Sequence, residues 1–463
     1  MKFETVSDEE FLKRVKKLYE EGKGNEKSGA GHVKMPYGVV ETPTLPEGLE
    51  QFDAKEKYEE VDASSLNYAD DNMLTTTMPM CFSTTGEYLG FPPNVDVDGQ
   101  SECLITGYLK RKIALTPGIG SPLPRVEAKT HQIVDAPGQG VGMFAYRNIA
   151  AGELILAERP LLVLPSVARM IRQQPANAPE LTPAQTMRIM QEDTEKLYEL
   201  AVERMQPGRR EAFEKLKNSH LHDGSGPIMG RMRTNGFGFE EMRDLPRNGK
   251  PGETFVIICD ELSRLNHSCG PNTHRYWDMA TFSVQMRAIR DIKKDEEITA
   301  TYCQDMESFE KRKKNLAPYD FQCACPACID PKTSDARRKQ IHAVVMANGL
   351  GFFWEKNFEV PKKTVVKPLL DAVGLCEKEG LESTIEHGFL LFVLMKTYAA
   401  KGDVANMRVY ARRYSVWRLA CLGTAVDEDE VEKGFGLVTV AEMVQRMKGR
   451  MLSGGKAKKT QAK

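Results

Sequence analysis

The sequence contains no run of about 18 apolar residues, so no membrane-spanning helix is expected. Its opening stretch, residues 1–10, is charged and has no apolar core, which argues against a secretory leader. Neither sign of charge dominates. Lys plus Arg number 64 and Asp plus Glu number 65, a formal net charge of −1. That balance removes any whole-surface case for binding nucleic acid or an anionic membrane. Cysteine is absent from residues 160–255. The chain is expected to fold in a reducing compartment, nuclear or cytoplasmic. There its 10 cysteines read as core thiols and metal ligands rather than disulfides.

At about 150 residues per domain, 463 residues suggest about three units. A hydrophobic share of 41% is ordinary for a globular chain. Ser7 and Glu10 fit a capping box ahead of Phe11, Val15 and Leu18, so a short helix is expected there, ending at Gly22. Residues 23–31 read as a linker. Residues 1–125 as a whole read as a partly disordered extension with no assignable fold. Residues 154–164 read as a strand closed by Pro165. Residues 182–216 read as helical: Thr182, Pro183 and Gln185 form a start, and Met187, Met190, Leu197, Ala201 and Met205 recur at helical spacing. Pro207-Gly208 divides them. Residues 255–259 and 297–302 read as strands. Ala280, Phe282, Val284, Met286 and Ala288 alternate as in a strand with one buried face. Past about residue 335 the pattern turns helical, and residues 454–463 form a basic tail expected to be disordered.

Four pieces carry chemistry. Cys323-Ala-Cys325-Pro-Ala-Cys328 offers three close thiols, a spacing that favours zinc over a redox pair of Cys325 and Cys328. Zinc takes four ligands, and Cys269, within Asn266-His267-Ser268-Cys269-Gly270-Pro271-Asn272, is a natural fourth. Tyr302 ends the stretch that starts at Glu296-Glu297-Ile298, where a hydroxyl can point into a cleft; most tyrosines only pack. Gly138, Gly140 and Gly142 form a turn whose backbone a ligand can approach. Its spacing does not fit the dinucleotide fingerprint. Lys311-Arg312-Lys313-Lys314 invites a nucleic-acid or nuclear-import reading, against the commoner one of a solvated helix face.

In this order the four pieces resemble the SET-domain family over roughly residues 130–330. The insert between the glycine turn and the Asn-His-Ser-Cys segment looks most like the SET–MYND subfamily and its fungal relatives, as does Thr234-Asn235-Gly236-Phe237. The cysteine-free insert departs from that pattern, because the MYND zinc finger is missing. The resemblance implies an α+β fold of small curved sheets with a pseudoknot. It implies a SET domain at 126–305 with a helical insert at about 166–250, a post-SET zinc segment at 306–332 and a helical region at 335–450. It implies an S-adenosylmethionine-dependent protein-lysine methyltransferase with a structural zinc. Gly140, Gly142 and Met143 would cradle the methionine part of the cofactor. Asn266, His267 and Asn235 would bond to it, and Phe321 would stack on its adenine. Tyr302 would stand by the transferring methyl, and Tyr319 would line the lysine channel. Cys269, Cys323, Cys325 and Cys328 would bind the zinc. The expected partner is a protein lysine, of a histone or another protein, with no membrane, no strong nucleic-acid binding and a monomeric state. The competing reading keeps the fold without the chemistry, as a scaffold.

Overall fold

The computed structural model describes residues 64–136, 140–167, 171–172, 180–246, 252–352, 359–360, 364–439 and 441–445, with short stretches between 31 and 54. The helix expected around Phe11, residues 23–30 of the linker after it and the basic tail lie outside the described residues, while Gly31 opens a strand, Gly31–Met35.

Short strands build several small sheets rather than one large one. A five-stranded sheet runs in the spatial order Phe237–Arg243, Thr254–Ile258, Leu162–Pro165, Ser101–Thr106, Met73–Met78. A four-stranded sheet sets Asn266–His267 beside Glu297–Ala300, then Gly140–Ala145, then His131–Ala136. A three-stranded sheet joins Thr273–Asp278, Ser283–Ala288 and Leu154–Glu158. Ile105, Val163 and Ile257 from the first sheet share one core with Met143 and Ile298 from the second and Ile155 and Val284 from the third. Burying each such side chain is worth about 1.5–3 kcal/mol. With the helices that follow, the class is α+β.

The N-terminal extension gives two of its stretches, Met73–Met78 and Ser101–Thr106, to the largest sheet. Every residue of Ser101–Thr106 is buried, so the strand has no alternation to read. Its polar members are satisfied inside: Glu102 accepts from the Thr77 hydroxyl at 3.0 Å and from Arg204 Nε at 3.1 Å.

Residues 154–164 are not one strand. They divide at Arg159-Pro160 into two strands that join different sheets. Pro160 has no N–H to give to a ladder. The buried Arg159 side chain turns inward and donates to the carbonyls of Gly99, Ser121 and Thr281. The strand expected over 280–288 starts only at Ser283, because Phe282 takes a left-handed φ of 49° in the turn before it. Its covering also differs from expectation. Ser283, Val284, Gln285 and Met286 are all buried, since this is a central strand with the helix Val404–Leu422 packed over the sheet.

Among its described residues the insert holds three helices. Pro183–Arg204 starts at a reciprocal capping box between Thr182 and Gln185, and Pro207–Glu214 follows, with Pro207 at its first turn. Pro227–Asn235 is the third, after which the chain is no longer helical. Phe237–Arg243 is a strand paired with Thr254–Ile258, so the helical part stops short of 250.

Beyond residue 330 come the helices Pro331–Ala347, Val366–Glu379, Ile385–Lys401 and Val404–Leu422, with a core that includes Ile341, Leu369, Phe389 and Trp417. Two glycines seat this region on the Asn-His-Ser-Cys segment. A Cβ on Gly270 would lie 2.4 Å from the Glu379 carbonyl oxygen, and one on Gly380 would lie 2.7 Å from the Gly270 Cα. Among the described residues no helix is long and apolar enough to cross a membrane.

Candidate active site and metal centre

The four-stranded sheet makes neighbours of three distant segments. Asn266 pairs in parallel with Thr299 and His267 with Ala300. Glu297 and Ile298 pair on their other side with Phe144 and Met143. A parallel pair cannot be closed by a tight turn. Here the chain leaves through the hairpin of Thr273–Asp278 and Ser283–Ala288 before it returns. Asn272 fastens the return: its Nδ2 donates to the Glu297 carbonyl at 2.8 Å and its Oδ1 accepts from Thr299 N at 2.8 Å.

On the glycine strand, Gly140 has a φ of 82°, which favours glycine, and a Cβ there would meet nothing within 4 Å. Its backbone is therefore open to approach. Gly142 is buried. The Met143 side chain points into the core, which leaves only its main chain for a ligand. Asn266 donates its Nδ2 to Glu297 Oε1 at 2.8 Å, which fixes the direction of its amide oxygen.

Both ring nitrogens of His267 are engaged. Nδ1 accepts from the backbone N–H of Tyr302 at 3.0 Å. In the neutral ring the proton then sits on Nε2, 3.2 Å from Cys269 Sγ. The imidazole thus ties the Tyr302 backbone to the thiol cluster and has no lone pair left for acid–base work.

Tyr302 stands two residues past the strand end at Ala300. Its hydroxyl donates to the Leu265 carbonyl. Its ring centroid lies 4.9 Å from that of Tyr319, 5.3 Å from His267 and 6.3 Å from Phe321. Burial pushes the Tyr302 hydroxyl up to about 12, with the Arg275 charge offsetting only part of it. Burial raises Tyr319 as well. Beside them opens a cavity of about 510 Å³, lined among others by Asn235, Phe237, Leu265, Arg275, Tyr302 and Tyr319. That size suits a small-molecule site, typically about 300–1,000 Å³. Asn235 spends its Nδ2 on the carbonyls of Lys217 and Arg231, at 2.6 and 2.7 Å. Gly140, Gly142, Met143, Asn266, His267 and Phe321 are not on the cavity wall. His267 and Phe321 meet it through their ring contacts with Tyr302.

Sequence reasoning missed Arg275, Leu265 and Glu158. Glu158, at the end of Leu154–Glu158, accepts the backbone N–H groups of Asp260 at 2.6 Å, Leu262 at 3.0 Å and Glu261 at 3.3 Å. It anchors the turn that delivers Leu265 and Asn266. Burial outweighs those bonds and pushes its carboxyl from the ordinary 4.5 up to about 7. The folded protein therefore holds this proton more tightly than the unfolded chain. The stability from it is full below about pH 4.5 and is lost as pH rises to about 7, by roughly 3 kcal/mol. Glu158→Gln is expected to flatten that part of a stability–pH curve measured by urea unfolding. An unchanged slope would discard the assignment.

The second cluster is of sulfur. The Sγ atoms of Cys269, Cys323, Cys325 and Cys328 all lie within 4.8 Å of one another. All ten cysteines are free thiols. Mutual S–H hydrogen bonds pull Cys325 and Cys328 below the ordinary thiol range and push Cys269 and Cys323 above it, so the four thiols titrate as one set. Four soft donors in one closed group fit tetrahedral zinc.

The basic run bears on this cluster. It lies on the helix Phe309–Leu316, where Lys311, Lys313 and Lys314 are exposed and Arg312 is fully buried. Burial works against the Arg312 charge, but the Cys269 and Cys328 thiols outweigh it and hold the guanidinium protonated. Its Nε and Nη2 reach no oxygen or nitrogen acceptor and face the Cys269 and Cys328 thiols. Arg338, also buried, donates Nη2 to the Cys269 carbonyl at 3.2 Å. A tetrathiolate carrying a divalent ion has two surplus negative charges, and Arg312 is placed to neutralise one. Arg312→Met is expected to weaken zinc binding about 10- to 100-fold in a chelator competition. Unchanged affinity would mean that Arg312 only fills space.

Residues 140–303 match the SET-domain family. The chain is 29% identical over 221 residues to "Histone-lysine N-methyltransferase set5" of Schizosaccharomyces pombe, covering 46% of this chain and 57% of that one. It is 33% identical over 131 residues to "Histone-lysine N-methyltransferase SET5" of Meyerozyma guilliermondii, covering 27% of this chain and 25% of that one. It is also 35% identical over 82 residues to "Histone-lysine N-methyltransferase SMYD3" of Homo sapiens, covering 18% of this chain and 19% of that one. The match thus spans little more than half the length of the first relative and a quarter or less of the other two.

Proposed function

We propose that this SET-domain chain is an S-adenosylmethionine-dependent protein-lysine N-methyltransferase with a structural zinc beside its active site. The observation that supports this most is the four-stranded sheet. It lines up Gly140–Ala145, Glu297–Ala300 and Asn266–His267 and runs out at the Tyr302, Tyr319 and Phe321 rings. The acceptor is a lysine on a protein, and the relatives' names make a histone the first candidate. The nucleus and cytoplasm are the compartments this reading allows.

When bound, S-adenosylmethionine supplies an electrophilic methyl group carried on a sulfonium. The residues do the rest by placement. The open Gly140 backbone and the Asn266 amide oxygen, aimed by Glu297, hold the cofactor's polar end. Asn235 has its amide oxygen left for the same task. Phe321 gives the adenine a face to stack on. The rings of Tyr302 and Tyr319 form a narrow apolar wall for the lysine stem. A free lysine has a pKa of about 10.4, and only its neutral form is nucleophilic. Burial between these rings disfavours the ammonium form, so the amine sheds its proton to solvent on entry and needs no dedicated base. Zinc on Cys269, Cys323, Cys325 and Cys328 fits a structural part, because four thiolates leave no open position for water.

Isothermal titration of the zinc-replete protein with S-adenosylmethionine tests this. Micromolar affinity is expected, and Asn266→Ala should weaken it at least tenfold. Well-folded protein that binds no S-adenosylmethionine would sink the enzyme reading and leave the non-catalytic scaffold.

A further inference from the structure

Among the described residues, Arg275 is a cation on the cavity wall without a counter-charge. It sits on the strand Thr273–Asp278 and lines the cavity with Tyr302 and Tyr319. Its guanidinium lies over the Phe237 ring, 4.1 Å from the centroid. Among the described residues its guanidinium has one hydrogen bond, to the Thr301 carbonyl, long at 3.4 Å. None of the residues lining the cavity is Asp or Glu. Among the described residues no carboxylate forms a salt bridge with it, whereas Arg159, Arg312 and Arg338 each reach one. Burial lowers its pKa, the cost of holding an uncompensated cation there. A guanidinium has five N–H donors in a planar fork. Most of that fork has nothing to bind.

The group that fits such a fork is a planar anion with two acceptor oxygens, a carboxylate. The need is sharper because the sulfonium and the approaching lysine ammonium both carry positive charge. A third cation beside them opposes their entry unless an anion comes too. The cofactor brings a carboxylate of its own, and Asn235, which helps to hold its polar end, shares this wall, but Gly140 and Asn266 are off it. Arg275 stands instead with the two tyrosines that line the acceptor side.

Resting on the methyl-transfer reading, we propose that Arg275 determines acceptor specificity by binding the carboxylate of an Asp or Glu near the acceptor lysine. The phenyl ring of Phe237 and the Thr301 carbonyl hold the fork in position. With a carboxylate bound, the cavity loses its surplus positive charge. Without one, Arg275 repels the incoming ammonium. Lysines in neutral or basic surroundings are thereby selected against.

The test uses the full zinc-loaded chain, saturated with S-adenosylhomocysteine, and fluorescein-labelled synthetic peptides with one lysine. Asp or Glu is placed at each of the flanking positions in turn, and the matched peptide carries Asn or Gln. Fluorescence anisotropy should show at least one acidic position binding about tenfold or more tighter than its amide twin. Arg275→Met should abolish the difference and Arg275→Lys should keep part of it. Equal binding of acidic and amide peptides, no binding of any acidic peptide, or a preference that survives Arg275→Met overturns the proposal. A parallel titration separates the two carboxylate sources. If Arg275→Met weakens S-adenosylhomocysteine about tenfold but leaves methylthioadenosine, which lacks the amino-acid end, unchanged, the fork serves the cofactor and acceptor selection is overturned. Wild-type protein that binds no S-adenosylhomocysteine marks instead the failure of the methyl-transfer reading itself, and the proposal falls with it.

Discussion

Tyr302→Phe is expected to slow methyl transfer about 100- to 1000-fold and to leave cofactor affinity within about threefold. The reason lies in where the hydroxyl proton goes. It is donated to the Leu265 carbonyl, so the lone pairs of the Tyr302 oxygen are turned outward, away from that bond. On the proposed methyl-transfer reading, an oxygen so held would show the negative end of its dipole to the cationic methyl and to the amine that receives it, before substrate arrives. Phenylalanine keeps the ring contacts with Tyr319, His267 and Phe321 and removes only the oxygen. Binding should therefore persist while the rate falls. The hydroxyl, pushed up to about 12, stays neutral across the working range. A rate–pH profile should rise as the acceptor amine loses its proton and show no break from Tyr302 below about pH 12. Radiolabelled methyl transfer, measured with titration of S-adenosylhomocysteine, checks both parts. Equal rates in the two proteins would remove Tyr302 from the chemistry.

Cys325→Ser is expected to cost the protein its metal and, with it, the cofactor site. Structural zinc sites in small domains are worth roughly 10–16 kcal/mol, so one thiolate lost from four removes a large share. The effect reaches the cavity by short routes. Tyr319 and Phe321 immediately precede Cys323, and the His267 ring that positions the Tyr302 backbone meets Cys269 Sγ at 3.2 Å. Metal analysis should show zinc falling from one equivalent per chain to a small fraction, and S-adenosylhomocysteine binding should fall with it. Full zinc content in the variant would mean that the metal is held without Cys325. Normal binding after zinc is lost would mean that the sulfur cluster does not shape the cavity.

What could be read from the sequence was short-range or came with a motif. The capping box of Thr182 and Gln185 and the Pro207 break are local signals, and both stand in the structure. The thiol cluster was legible because soft ligands at close spacing have few other uses. The strand break at Arg159-Pro160 was not, because an inward-turning arginine is satisfied by three carbonyls from distant parts of the chain. Ser101–Thr106 escaped notice because a strand buried on both faces shows no period. Arg275 escaped because its meaning lies in what surrounds it: two tyrosines, a phenylalanine and no acid. Arg312 was hidden inside a charge run whose other members do face solvent.

Gly270 and Gly380 meet backbone to backbone, and that contact has a consequence for how this architecture can diverge. A side chain on either glycine would have to push the Asn-His-Ser-Cys loop and the end of the helix Val366–Glu379 apart. The helical region and the sheets therefore cannot drift independently. In a chimera that takes its C-terminal helices from a relative, the donor must bring a glycine at the second position and find one at the first. Otherwise the seam opens next to Cys269, and the recombinant loses the geometry of its four thiols before its helices melt.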